Sequence, residues 1–171
     1  ANVADLNALV AAAGDTVTAT IDGNAAVLAT VTASGTSSTH AFTIVVDDDV
    51  TAAEGKAIAL STNATTVDFS AAGVIDTFAN LASSGAASAN MAAIRGKDTN
   101  VNVSVSDVIG TASSVNVTDL NALRAVTTGV VTATINGDAA ELDDLATAGS
   151  DLLAITVNDA QSGSAGVTAV N

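Results

Sequence analysis

The chain has 171 residues, of which 49% are hydrophobic and only 2% are aromatic. This length and apolar content suffice for one core, or for a short series of stacked repeats built mostly from Ala, Val, Leu and Ile. Eighteen acidic residues against four basic ones give a formal charge of -14, a field that repels nucleic acid. The sequence has no cysteine and no apolar stretch as long as a membrane span, so we expect no disulfide, no thiolate metal site and no membrane insertion.

An internal repeat relates the two ends of the chain. Residues 2–31 align without gaps on residues 116–145, and 17 of the 30 aligned positions are identical. Similarity at a fixed offset is typical of repeat architectures. We therefore expect a first long repeat over 1–114, with an insertion near 83–98, and a second, truncated repeat over 115–171. The two are predicted to form one continuous solenoid.

The predicted elements alternate between short amphipathic helices and strands. Asp5 and Asp119 are placed to cap the first helix of each repeat. Six strands show a period of two between apolar and small polar residues. They are predicted over 16–21, 42–46, 66–69, 101–105, 131–135 and 153–157. Three helical faces are formed by Leu6, Leu9, Val10 and Ala13, by Val74, Phe78, Leu81 and Ala82, and by Ala139, Leu142, Leu145 and Ala146.

The order of these elements predicts the fold class. Strand, helix, strand succession favours parallel pairing, so the prediction is an α/β fold: a β-α repeat solenoid with a mainly parallel sheet on one side and short helices on the other. One strand face is rich in Thr, Ser and Asn, whereas parallel sheets are usually apolar on both faces. This face is predicted either to meet solvent, as in one-sided solenoids, or to be buried in an assembly. The alternative fold is a set of all-β, sandwich-like repeat domains.

The two termini carry a second repeat signal. Joined tail to head, they resemble the internal junction that introduces the second repeat, so we expect copies to associate into a head-to-tail array or filament. The chain begins without Met, which predicts processing or excision from a longer protein. The residues predicted to form the junction are Ala1, Asn2, Val3, Val167, Val170 and Asn171.

Three segments carry a resemblance to a known class of protein. They read DLNALRAVTTGVVTATINGDAAELDDL, LLAITVNDA and VIDTFANLASSG. Their style resembles the Ala/Thr/Asp-rich repeats of giant secreted surface proteins and RTX-type adhesins of cyanobacteria and proteobacteria. The resemblance implies secretion to the cell surface and a role in adhesion, surface layers or motility. The glycine-rich nonapeptide G-G-x-G-x-D of the calcium-binding β-roll is not found in the sequence, so calcium binding does not follow from the resemblance.

Acidic residues at strand ends are the candidate metal ligands. Asp47, Asp48 and Asp49 follow a predicted strand, and calcium prefers several carboxylate and carbonyl oxygens. No D-x-[DN]-x-[DN]-G loop surrounds them, so a solvated turn is the other interpretation. Five further side chains are predicted either to form a calcium-binding ladder between turns or to serve as turn and cap residues. They are Asp22, Asp68, Asp107, Asn136 and Asp159.

Catalysis is not expected from this composition. His40 is the single imidazole, and no orienting partner or nucleophile motif accompanies it, so it is predicted to be a surface loop residue. The sequence has no Tyr, Trp or Cys, and no motif requires a cofactor.

A threonine-rich strand face supplies the alternative function. Such a face is predicted to bind ice or a crystalline surface polysaccharide, or to dock on a neighbouring subunit. The residues of this Thr face are Thr18, Thr20, Thr43, Thr66, Thr132, Thr134 and Thr156.

Overall fold

The computed structural model describes residues 3–31, 40–61, 64–110 and 114–158. Short helices and strands alternate through these ranges. In chain order they are α1 (Val3–Ala12), β1 (Thr18–Gly23), α2 (Ala25–Leu28), β2 (Ala41–Val46), α3 (Ala52–Ala59), β3 (Ala64–Asp68), β4 (Gly73–Asp76), α4 (Phe78–Leu81), β5 (Ala82–Ser83), β6 (Ala86–Ala87), α5 (Ala89–Arg95), β7 (Asn102–Ile109), α6 (Ser114–Ala125), β8 (Val131–Gly137), α7 (Ala139–Leu142) and β9 (Leu152–Val157).

The longer strands form two parallel sheets. One sheet has the order β1-β2-β3 and the other has the order β4-β7-β8-β9, while β5 and β6 form an antiparallel hairpin. A parallel bridge between Val50 and Val74 connects the segment after β2 to the second sheet. The prediction of a mixed α/β fold with mainly parallel sheets and short helices is confirmed. The all-β sandwich alternative is wrong.

The two-residue period located all six predicted strands, which correspond to β1, β2, β3, β7, β8 and β9. In β8 the side chains of Val131, Ala133 and Ile135 are buried, whereas Thr132 and Thr134 are half-buried on the other face. The core is a thin layer of aliphatic side chains with Phe42 and Phe69 fully buried in it. Small side chains fill such a layer without leaving large voids.

The helix boundaries differ from the prediction in several places. Ala82 lies in β5, and Ala13, Leu145 and Ala146 lie beyond the ends of α1 and α7. Asp5 and Asp119 are not N-caps, because α1 and α6 begin earlier, at Val3 and Ser114, and both aspartates lie inside the helices. Val74 does not share a helical face with Phe78. It lies in β4, where it pairs with Val103 and is fully buried. The spacing of four residues between Val74 and Phe78 fits a helix, but it does not distinguish one helix from a strand followed by a helix.

The predicted insertion contains the β5–β6 hairpin and α5. The hairpin turns at Ser84 and Gly85, which have φ angles of 57° and 77°, the left-handed pair that two-residue turns between antiparallel strands require. Ser88 caps α5 by accepting a hydrogen bond from the Met91 N–H at 3.3 Å. The helix α6 packs against this hairpin, so the insertion is part of the folded body.

The aligned sequence repeats have matching local structure. The order α1-β1-α2 recurs as α6-β8-α7, and both four-residue helices begin at aligned alanines, Ala25 and Ala139. Asn7 donates from Nδ2 to the Thr30 carbonyl at 2.9 Å, and its aligned partner Asn121 donates to the Asp144 carbonyl at 2.8 Å. Identical side chains therefore make the same long-range bond in both repeats.

Candidate functional site

Three aspartates each connect one short helix to a later segment of the chain. Asp48 accepts a hydrogen bond at 2.8 Å from the N–H of Ala25, the first residue of α2. Asp76 accepts from the N–H of Ala52 at 3.1 Å, at the start of α3. Asp107 accepts from the N–H of Phe78 at 2.6 Å, at the start of α4. The first amides of a helix have no partner within the helix, so each aspartate satisfies such an amide from 23 to 29 residues further along the chain.

The hydrogen bonds at Asp76 also determine its ionisation. Partial burial raises the pKa of its carboxyl group, but hydrogen bonds from Asn80 Nδ2 at 2.7 Å, the Thr77 N–H at 2.8 Å and the Ala52 N–H outweigh that effect. The net result is a pKa below the ordinary value. Two hydrogen bonds from Ser70, from its side chain and its N–H, likewise lower the pKa of Asp68.

A second set of acceptors lies at the starts of the strands. The imidazole Nδ1 of His40 accepts from the Val17 N–H at 2.9 Å, and Asp151 accepts from the Val131 N–H at 3.3 Å. Val17 and Val131 are aligned residues of the two repeats. A histidine and an aspartate thus accept the same backbone N–H in the two repeats. His40 immediately precedes β2, which pairs with β1, and Asp151 immediately precedes β9, which pairs with β8.

The prediction that His40 is a surface loop residue is wrong. Its side chain is only 3% exposed and lies parallel to the Phe42 ring at a centroid separation of 6.4 Å. Among the described residues, its Nε2 has no hydrogen-bond partner. The structural role at Nδ1 explains the burial, because the Val17 amide at the edge of the core needs an acceptor.

The carboxylate of Asp151 is enclosed by its surroundings. Its side chain is 1% exposed and forms an ion pair with Arg124 in α6. It also accepts a hydrogen bond from the Ala148 N–H at 2.8 Å. One of the four basic residues is therefore committed to neutralising a buried charge.

The candidate calcium ligands lie on one exposed turn. Asp47, Asp48 and Asp49 are exposed between β2 and Val50, and Asp48 is engaged with Ala25. Among the described residues, no three acidic or histidine side chains are grouped so as to hold a metal ion. The structure places the described residues of the predicted strand-end ladder apart from one another. Asp22 and Asp68 are not neighbours in the register, because Val45 of β2 lies between them. Asp107 accepts the Phe78 N–H, and Asn136 is paired with Thr156. Asp159 lies outside the described residues.

The Thr face divides between the two sheets. Thr20, Thr43 and Thr66 are in register across β1, β2 and β3 and form a row of three threonines. Thr18 is paired with Ala41 beside this row. On the second sheet the register intersperses apolar residues with the threonines. The rows there are Ile75, Ser104, Thr132 and Leu152, then Val108, Thr134 and Ala154, then Asn136 and Thr156.

Sequence reasoning missed a cleft of about 360 Å³ beside the end of β3. Arg95 and Lys97, two of the four basic residues, line it together with Asp68 and the buried Asp98. Asp98 is engaged, since its carboxylate accepts from the N–H groups of Phe69 and Asn100. The short basic segment at 95–97 was the only sequence signal for this cleft.

Of the predicted junction residues, Val3 is buried within its own chain at 4% exposure. Ala1, Asn2, Val167, Val170 and Asn171 lie outside the described residues.

No helix in the described ranges has the length and hydropathy needed to cross a membrane. No protein-family model, curated protein or solved structure matches the chain.

Proposed function

We propose that the chain is a structural or adhesive repeat module of an extracellular bacterial surface or filament protein, and that its β-α units stack as a solenoid. The carrying observation is the recurrence of one bond: Asp48, Asp76 and Asp107 each accept the first amide of the helix in the preceding unit. A bond that recurs between successive units is a property of stacked repeats, in which each unit contacts chiefly its neighbours.

The surface of the chain supports the same role. A formal charge of -14 keeps an extended array hydrated, and the resemblance to giant secreted repeat proteins supports placement outside the cell. The polar groups described above act as caps and strand acceptors, so the proposal includes no catalytic residue. Calcium at the exposed run Asp47 to Asp49 belongs to the proposal as an accessory ligand that promotes assembly.

Electron microscopy and sedimentation velocity of the purified chain, at rising concentration and with or without a calcium chelator, test this proposal. Fibres or sheets are the expected result, and their loss on chelation would show that calcium promotes assembly. The double variant Asp47→Asn/Asp49→Asn leaves the Asp48 bond intact and should reproduce the effect of the chelator. Discrete monomers at every concentration, with and without calcium, would overturn end-to-end assembly.

A second candidate function rests on the threonine row. Thr20, Thr43 and Thr66 present a regular line of hydroxyl and methyl groups on one sheet, a surface suited to ice or to a crystalline polysaccharide. Thr20→Val/Thr66→Val should abolish thermal hysteresis or polysaccharide-dependent stabilisation, whereas Thr18→Val, beside the row, should not. Wild-type protein with neither property would eliminate this candidate.

A further inference from the structure

Two pairs of identical residues in the sequence repeats have opposite exposure. Leu9 in α1 is 56% exposed, whereas its aligned partner Leu123 in α6 is fully buried. Asp5 in α1 is exposed, whereas its aligned partner Asp119 is 5% exposed. Since the side chains are the same and lie on corresponding helices, the difference comes from what packs against each helix.

In the second repeat this surface is covered by the insertion. The helix α6 packs against the β5–β6 hairpin, and the Asp119 carboxylate accepts a hydrogen bond from the Gly85 N–H in its turn. A Cβ atom on Gly85 would lie 3.7 Å from the Thr118 methyl group, so the two backbones are close. Within this chain α6 is therefore a docking surface for the hairpin through Asp119, and Leu123, one helical turn further along, is buried.

The strands that follow these helices show the same contrast. β8 is hydrogen-bonded on both sides, by β7 and β9, whereas β1 is the edge strand of its sheet in the described part of the chain. Val131 and Ala133 are buried in β8, while the aligned Val17 and Ala19 are only half-buried. We define the N-terminal face as Asp5, Leu9 and the outer edge of β1, the side on which no described strand pairs with it.

The opposite end of the described chain carries a second unpaired edge. β9 is the last strand of its sheet, with Leu152 at 64% and Ile155 at 38% exposure. An edge strand presents a row of unpaired N–H and C=O groups that another strand can complete. Because every pairing within both large sheets is parallel, adding β1 of another copy beside β9 continues the existing strand direction.

We propose that the N-terminal face is a docking surface for the β9 edge of a second copy of this chain. Leu9 of one copy packs against Ile155 of the next, which lies on the same face of the sheet as the buried Ile135, and Asp5 accepts a backbone amide as Asp119 does within the chain. The contact joins two different surfaces and therefore repeats from copy to copy, which gives an open filament when the rotation between copies does not close a ring. This inference rests on the proposed function and specifies its interface.

A charge substitution on the N-terminal face tests the interface. Leu9→Glu is exposed and should leave the fold intact, as circular dichroism would verify, while raising the concentration required for assembly at least about tenfold. Val27→Glu is the matched control: Val27 is 46% exposed on α2, and the aligned residue of the second repeat is Glu141. Val27→Glu should assemble like the wild type.

Cross-linking identifies the opposing surface. The chain has no cysteine, so Leu9→Cys and Ile155→Cys each introduce a unique thiol. A mixture of the two variants should give dimers with a short bismaleimide, and a mixture of Val27→Cys with Ile155→Cys should not. If wild type and Leu9→Glu assemble equally and these dimers are missing, the interface is wrong while the proposed function stands. A wild type that stays monomeric and gives no dimers overturns both.

Discussion

The Nδ1 atom of His40 accepts a hydrogen bond from the backbone N–H of Val17, which precedes it by 23 residues and lies 2.9 Å away. An imidazole that accepts at one nitrogen is neutral and carries its proton on the other. The residue is only 3% exposed, so water does not readily replace it as the acceptor. The Val17 amide of the first repeat therefore depends on this side chain.

Removing this acceptor should destabilise the protein. His40→Ala leaves the Val17 N–H at the edge of the core without its partner, and we expect a loss of about 1 to 3 kcal/mol. Urea unfolding, followed by circular dichroism because the chain has no Trp or Tyr, measures the loss. His40→Gln retains a side-chain acceptor and should lose less, and an equal loss in the two variants would contradict the assignment.

Strong acid should act through the carboxylates with lowered pKa values. The pKa of Asp76 is below its ordinary value in the folded chain, because its three hydrogen bonds outweigh the effect of burial. Its contribution is therefore present above the unfolded-state value of about 3.9 and is lost as pH falls through the lower folded value. Asp76→Ala should cost about 1 to 2 kcal/mol at pH 7 and should reduce the difference in stability between pH 7 and pH 3. Asp143→Ala, at an exposed carboxylate, is the control, and an equal cost in both variants would refute the role of the Ala52 bond.

The Arg124 and Asp151 pair should show strong coupling. Removing the cation in Arg124→Val leaves the carboxylate of Asp151, 1% exposed, without its countercharge, and we expect a loss of about 3 to 5 kcal/mol. The first repeat has Val10 at the position of Arg124 and uses His40 where the second uses Asp151. Arg124→Val/Asp151→His should therefore recover much of the loss. Additive losses in a double-mutant cycle of urea midpoints would show that the two sites are independent.

Gly129 lies where two segments of backbone meet. A Cβ atom there would be less than 3.0 Å from the carbonyl oxygens of Asn100 and Val101, which are backbone atoms and cannot rotate away. Gly129→Ala should therefore destabilise the protein by about 1 to 3 kcal/mol or more. A Cβ atom on Gly14 would have no neighbour within 4 Å, so the free energy of unfolding of Gly14→Ala should stay within about 0.5 kcal/mol of wild type. Thermal unfolding of the two variants gives the comparison, and equal melting temperatures would be inconsistent with the close approach.

Periodicity located the strands because apolar and polar residues alternate in the sequence of a half-buried strand. In β8, for example, Val131, Ala133 and Ile135 are buried and the residues between them are polar. Helices of four residues are too short to show a period. The one clear signal that was missed is the capping box of α3, in which the Glu54 carboxylate accepts the Thr51 N–H at 2.9 Å and the Thr51 hydroxyl accepts the Glu54 N–H at 3.3 Å.

The acceptor positions were beyond prediction for a different reason. Asp48 and Ala25 are separated by 23 residues, and Asp107 and Phe78 by 29, so the length of each unit must be known before the donor of a given aspartate can be named. His40 was misplaced because its neighbours are small and polar in sequence, whereas the partner that accounts for its burial is a distant backbone amide.

All strand pairs in the two large sheets are parallel, so the seven strands give the molecule a defined polarity. Copies added at the β1 and β9 edges, across the strands, cannot be reversed without changing parallel pairs into antiparallel ones. A fibre of this protein would be polar, with a β1 edge exposed at one end and a β9 edge at the other, and its two ends would grow at different rates. Such a fibre would have two distinct ends, so a single chain sequence would suffice to set its direction of growth.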